Sequence, residues 1–322
     1  MLRKLFILII GIVLIIISLG CQSTTPESEP VFVPIQITST VTQVMSTETI
    51  VKSSSEQQSQ PEPSYQGDAI AYVNGETILR TDFEKQVEQF QKAEKANGIP
   101  QTEEHIQQIR EHVLDGLIDQ HLIEQTAKKH DIVINDNALN AEIAEIKQGQ
   151  TESEFNQWLE LNNFTYQEFK EMLRSELISG HVFDYIVANV PTVAVHVHVR
   201  HILLKDQNQA HETIQRLNNG EDFVMLAQTL SQDELTRLNG GDLGWFPRGV
   251  NIVPPQVETI AFTLAPGDIS PVIESVFGYH IILLAERDES MTLIMEHYHK
   301  LQRKFFSEWL AEQRSLAKIE IY

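Results

Sequence analysis

The periodicity of the chain changes twice, and these changes restrict the possible folds more than any other feature. Up to Val190-Pro191 apolar residues recur at helical spacing; over Val193–Leu204 (VAVHVHVRHILL) they alternate with period two, as in a half-buried strand. A mixed texture follows. Helical patterns at 210–217 and 222–230 precede a glycine cluster at 240–249, and a last strand pattern covers 279–284. After Asp288 helical spacing returns through Ile294, Tyr298, Leu301, Phe305 and Trp309, and the sequence ends on a short strand-like stretch, 319–322. This order predicts an α+β fold in which an α/β unit, 192–288, is inserted between helical segments at 68–191 and 289–322. The apolar face of a lone helix is marginal in water, so the two helical segments are expected to pack on each other.

The first helical segment opens with a strand pattern at 69–74 and the turn dipeptide Asn74-Gly75, after which helical periodicity takes over. Thr81, Asp82 and Phe83 open one helix; Ile106, Ile109, Val113, Leu117 and Leu122 mark one face of the next. Two later starts carry a capping box, Thr151 with Glu154 and Thr165 with Glu168, in which hydroxyl and carboxylate reciprocally satisfy orphan helix donors. The stripes that follow, Phe155, Trp158 and Leu159, then Phe169, Met172, Leu173 and Leu177, read as core.

Residues 1–67 belong to no domain. Arg3 and Lys4 precede an uncharged run, 5–20, that is short for a membrane span of about 20 residues, and Gly20 stands before Cys21, the chain's single cysteine. This is a secretory signal, 1–20. Its junction resembles the lipobox of bacterial lipoproteins, with Ser18 and Leu19 in swapped order; the resemblance implies lipidation of Cys21. The competing reading is an uncleaved membrane anchor, and both place the functional part outside the cytoplasmic membrane. From 21 to 67, Ser, Thr, Gln and Glu predominate and Pro26, Pro30, Pro34, Pro61 and Pro63 interrupt regular structure, so this stretch is read as a disordered tether.

Composition excludes several functions. A formal charge of −21 repels phosphate backbones, so no nucleic-acid partner is expected. One cysteine leaves no internal disulfide, thiolate zinc site or Cys-x-x-Cys chemistry. His196, His198 and His201 lie close together, but alternation puts His201 on the opposite face of the strand, so neither a metal nor another cofactor is expected.

The α/β unit resembles the parvulin family of peptidyl-prolyl isomerases. The matching strings are VRHILL (199–204), DFVMLAQTLSQD (222–233), GGDLGWF (240–246) with Arg248-Gly249, IAFTLAPGDISPVIES (260–275) and FGYHIILL (277–284), in family order and spacing. The resemblance implies a small antiparallel-type sheet with surrounding helices. The helical remainder, with its Val73-Asn74-Gly75-Glu76 turn, resembles the chaperone part of SurA and of PrsA-type foldase lipoproteins, in which a parvulin unit is inserted.

By this resemblance His201, Asp233, His280 and Ser275 form the polar catalytic cluster, and Leu243 and Phe246 line the proline slot. Val253 and Val257 fall where the family usually carries Met and Phe, which widens the slot and removes its aromatic wall. His201 with His280 also reads as a hydrogen-bonded pair that fixes strand register, and Asp233 as a cap. Lys205 is followed by Asp206, Gln207 and Asn208 rather than a basic loop, so phosphoserine-proline selectivity is not expected.

The expected function is an exported, lipid-anchored foldase that isomerises X-Pro bonds in unfolded secreted or envelope proteins. The alternative is a catalytically weak holdase that binds unfolded exported chains. A third reading, an envelope assembly factor with one fixed partner, rests on the tether alone.

Overall fold

The computed structural model describes residues 68–322. The signal run, Cys21 and the tether lie outside the described residues. Among the described residues no helix is long and apolar enough to cross a membrane.

The chain divides into two compact units. The described part of the first comprises 68–121, 160–163 and 318–322. Here β1 (Ala69–Val73) turns through Asn74 and Gly75, whose φ of 52° and 86° suit a tight hairpin, into β2 (Glu76–Leu79). That second strand fills the stretch between the turn and the helix start at Thr81, to which the sequence pattern assigns no element. Next come α1 (Arg80–Ala96), which buries Phe83 and Val87, and the start of α2 (Glu103–Lys129). On the other edge of β1 lies β7 (Ile319–Ile321), giving the antiparallel order β2-β1-β7. Asn74 clamps this pairing: its N–H donates to the Lys318 carbonyl at 2.8 Å, and its Oδ1 accepts from Lys318 N at 2.9 Å.

The second unit comprises 122–159 and 164–317. It holds the rest of α2, then α3 (Asp136–Ile146), α4 (Glu152–Leu161) and α5 (Tyr166–Val187). Both expected capping boxes form. Glu154 N donates to Thr151 Oγ1 at 3.2 Å while Thr151 N donates to Glu154 at 2.7 Å, and Thr165 with Glu168 repeats the geometry at the same two distances. These caps start helices whose aromatic faces meet: Phe155 lies 5.3 Å from Phe169 and 6.2 Å from Trp158, ring centre to ring centre.

After Pro191 the chain forms β3 (Val193–Leu204), α6 (Gln207–Asn218), α7 (Phe223–Leu230), β4 (Asp242–Pro247), α8 (Pro255–Ala261), β5 (Ile273–Ser275) and β6 (Gly278–Thr292). The sheet is antiparallel, in the order β4-β3-β6-β5. Its two faces bury different partners. Ile202, Leu204 and Ile281 meet Ala210, Leu217, Phe223, Leu226 and Ala227 on one; Val197, Val199, Ile282 and Leu284 meet Phe246, Val257, Ala261 and Phe262 on the other. Strand β6 runs well past the expected Leu284, because backbone pairing continues to Val193↔Thr292 after its side chains have become polar.

The final helix, α9 (Met295–Leu316), packs on α5, with Phe306 and Phe183 ring centres 5.1 Å apart. Its buried residues are His297, Phe306 and Leu310, whereas Ile294 and Phe305 are exposed. The stripe read from sequence is half-buried at Tyr298, Leu301 and Trp309 and exposed at Phe305, and the fully buried residues flank it on both sides, His297 on one and Phe306 and Leu310 on the other. Ile294 is the extended N-cap residue (ψ 152°) rather than part of the helix.

Candidate active site

His201 sits on β3 and His280 on β6, where the pairs His201↔Ile282 and Leu203↔His280 make them diagonal neighbours. Period-two alternation from Val199 and from Ile282 puts both rings on the Val197 and Leu284 face. Their centres are 5.9 Å apart and their planes differ by 27°; both side chains are buried.

His201 anchors one end of the cluster. Its Nε2 lies 2.8 Å from Asp233 Oδ2 and 3.0 Å from Thr236 Oγ1, and the Thr236 hydroxyl donates to the same carboxylate oxygen. Burial pushes the Asp233 carboxyl up, but hydrogen bonds from Thr236 and His201 and the His201 charge outweigh it and hold the group below its ordinary value. An ionised carboxylate only accepts, so the His201 Nε2–H donates. Ser231 places the carboxylate: its Oγ accepts from Leu203 N at 3.1 Å and from Asp233 N at 3.3 Å, which ties the loop to β3.

His280 anchors the other end, with Nε2 at 2.7 Å from Ser275 Oγ, which also accepts from Phe277 N at 3.1 Å. Burial, reinforced by the His201 charge and only partly offset by Asp233, lowers the His280 pKa to about 4, so this ring is neutral at pH 7. Its Nδ1 is buried without a hydrogen-bond partner.

The four polar residues expected from sequence therefore form two linked pairs. The four apolar ones share the neighbouring core: Phe246 and Val257 are fully buried behind the face, while Leu243 and Val253 pack against them and are partly exposed. Placing Leu243 and Phe246 together requires a bulge. The register runs Val197↔Phe246, His198↔Trp245, then Arg200↔Asp242, so β4 takes three steps to two on β3. Gly244, at φ 70°, is the extra residue. Without it two residues three apart would face opposite sides.

Sequence reasoning missed Thr236 and Ser231. The only trace of Thr236 is the Asp-x-x-Thr spacing from Asp233, which reads equally well as a cap. Neither His196 nor His198 joins the cluster: His196 Nδ1 is 3.0 Å from the Ala194 carbonyl and His198 Nε2 is 2.7 Å from Asp242. Among the described residues no group of three or more His, Cys, Asp or Glu is arranged to hold a metal ion.

Chemically, a neutral imidazole, an imidazole tied to a carboxylate and two hydroxyls lie beside an apolar wall. This arrangement puts the Ser275 hydroxyl 2.7 Å from the neutral His280 ring. It can hold an apolar ring and present polar groups to a rotating amide, whose barrier of roughly 18–20 kcal/mol comes from partial double-bond character.

Two segments of the chain match known protein families. Residues 40–183 match the SurA-like N-terminal domain and residues 202–286 the PPIC-type PPIase (rotamase) domain. The foldase protein PrsA of Caldanaerobacter subterraneus is 33% identical over 230 residues, which is 67% of this chain and 72% of that protein. PrsA of Clostridium kluyveri is 28% identical over 257 residues, covering 68% of this chain and 75% of that one. A crystal structure of the PrsA peptidylprolyl isomerase from Bacillus anthracis covers 63% of this chain and 88% of its own, at 28% identity and a TM-score of 0.42.

Proposed function

The chain belongs to the PrsA foldase family of peptidyl-prolyl cis-trans isomerases, and from that premise we propose that it is a lipid-anchored extracytoplasmic foldase that isomerises X-Pro bonds in unfolded secreted or envelope proteins. The observation that carries the reading is the His201–Asp233–Thr236 and His280–Ser275 cluster on the sheet face shared with Leu243, Phe246, Val253 and Val257. The 192–288 segment is the isomerase unit, and the helical segments hold the client chain.

In this mechanism Leu243 and Val253 receive the proline ring, backed by Phe246 and Val257. The apolar wall strips water from the preceding amide and favours the twisted state, which has lost its resonance. Every 1.4 kcal/mol of preferential stabilisation gives about tenfold in rate. His280, neutral at working pH, and the His201 ring held by Asp233 present a polar surface to that amide with no proton consumed overall.

The test is an X-Pro isomerisation assay on the full chain, run beside suppression of client aggregation. Acceleration that disappears in Asp233→Ala supports the enzyme. A folded protein that accelerates no X-Pro peptide yet suppresses aggregation overturns it in favour of the holdase, a reading supported by the absence of an aromatic side chain at the fully buried Val257. Lipid anchoring is tested separately: Cys21→Ser releases the protein from membranes if two acyl chains on that sulfur hold it, and unchanged retention rejects the anchor.

A further inference from the structure

Behind the cluster, on the side of β3 where His198 and Arg200 project, lies a second polar network that the reaction does not touch. Asp242 is its hub. Its Oδ1 accepts from His198 Nε2 at 2.7 Å and from Gly244 N at 2.9 Å, and its Oδ2 accepts from Arg200 at 2.9 Å. Arg200 also reaches the carbonyls of Asn239 at 2.8 Å and Gly240 at 3.2 Å. His198 is stacked on Trp245, ring centres 5.4 Å apart. Burial opposes ionisation of Asp242, but the Gly244 amide, His198 and Arg200 together hold its pKa below the ordinary value.

The two ends of this network grip the two walls of the site. Through Gly244 N, Asp242 closes the bulge that turns Leu243 onto the face of Phe246. Through Asn239 and Gly240, Arg200 holds the loop that leads back to Thr236 and Asp233. The loop has no slack at this point: Gly241 N donates to the Thr236 carbonyl at 2.9 Å, His201 N donates to the Gly241 carbonyl at 2.8 Å, and a Cβ on Gly241 would stand 1.9 Å from the His201 carbonyl oxygen. A planar guanidinium that donates to two carbonyls and a carboxylate fixes three points at once, which a lysine ammonium on a flexible stem does not.

We propose that Arg200 and Asp242 are positioning residues of the isomerase site, setting the apolar wall at Leu243 and the Asp233–Thr236 loop against each other across β3. This rests on the isomerase reading of the cluster. Neither residue touches the reacting amide; both act through the bulge and the loop.

The role has a signature that plain stabilisation lacks, because the two residues grip different walls. Asp242→Ala releases the bulge and is expected to raise KM at least about fivefold with a smaller change in kcat. Arg200→Met releases the loop and is expected to lower kcat at least about fivefold. It should also shift the His201 Nε2 resonance in full-length protein carrying 15N-labelled histidine, that resonance being assigned by its loss in His201→Gln. Asp242→Asn, which keeps an acceptor for Gly244 N, should recover most of the Asp242→Ala loss; Arg200→Lys should not recover the Arg200→Met loss. If the alanine or methionine variant does not fold, the Asn and Lys variants carry the comparison. Folded variants with wild-type kcat, KM and His201 resonance overturn the proposal. If the wild type accelerates no X-Pro peptide, the isomerase reading fails, and the His201 resonance still decides whether Arg200 holds the loop.

Discussion

On one face of the four-stranded sheet Ile202, Leu204 and Ile281 meet apolar side chains from α6 and α7; on the other, the adjacent positions in the same two strands are His201 and His280. The strands do not differ, only the parity of the residue. What differs is the cover. Two amphipathic helices cover Ile202, Leu204 and Ile281 on the first face, which ends in the His198, Arg200 and Asp242 network, whereas the second is closed by Phe246, Val257 and Phe262 and carries the two histidines at its margin. Each face buries a core, but the proposed site lies on one of them alone, so a core substitution on the other tests stability apart from chemistry.

The largest perturbation belongs to the closed face. Leu204 is fully buried, and Leu204→Ala is expected to cost about 2–5 kcal/mol of stability in denaturant unfolding, with kcat of the folded fraction unchanged. On the open face Val257→Phe must overpack a fully buried site and is expected to cost about 1–3 kcal/mol; an unchanged midpoint would show that the wall behind Leu243 has free volume. Asp233→Ala should slow X-Pro isomerisation about tenfold or more, or about 1.4 kcal/mol of barrier, while aggregation suppression persists; equal loss of both activities would merge the two faces into one structural role. Thr236→Val removes one hydrogen bond to the Asp233 carboxylate and should lower kcat by less than Asp233→Ala does.

Stability also depends on pH. His280 titrates near 4 when folded and near 6.5 when exposed, so between these values the unfolded chain binds a proton that the folded one excludes. Stability therefore falls as pH drops from 6.5 through 4. The melting temperature should decrease over that window, and His280→Gln should flatten the slope.

How much of this was visible in the sequence depends on whether the signal was local. The ends of β3 and the caps at Thr151 and Thr165 were legible because alternation and capping are written within a few consecutive residues, whereas β2, β4, α8 and β5, each of seven residues or fewer, were not. His201, Asp233, Ser275 and His280 were placed by the parvulin resemblance; no spacing rule brings 201 beside 280. Thr236 went unnoticed because a hydroxyl three residues after an aspartate is commonplace. The Gly244 bulge was hidden because a glycine-rich run does not reveal which member breaks the register. On α9 apolar spacing does not single out the buried positions, because Phe305 is exposed while the polar His297 is buried.

The clamp between Asn74 and Lys318 joins residues 244 positions apart. A chain delivered N-terminus first can form the β1–β2 hairpin within its first described residues, but β1 keeps an unpaired edge until 319–321 arrive. Closing so long a loop is entropically costly and slow. The β2-β1-β7 sheet is therefore completed late, and an exposed strand edge persists for as long as the rest of the chain takes to appear. That interval is when the hairpin is open to pairing with another chain.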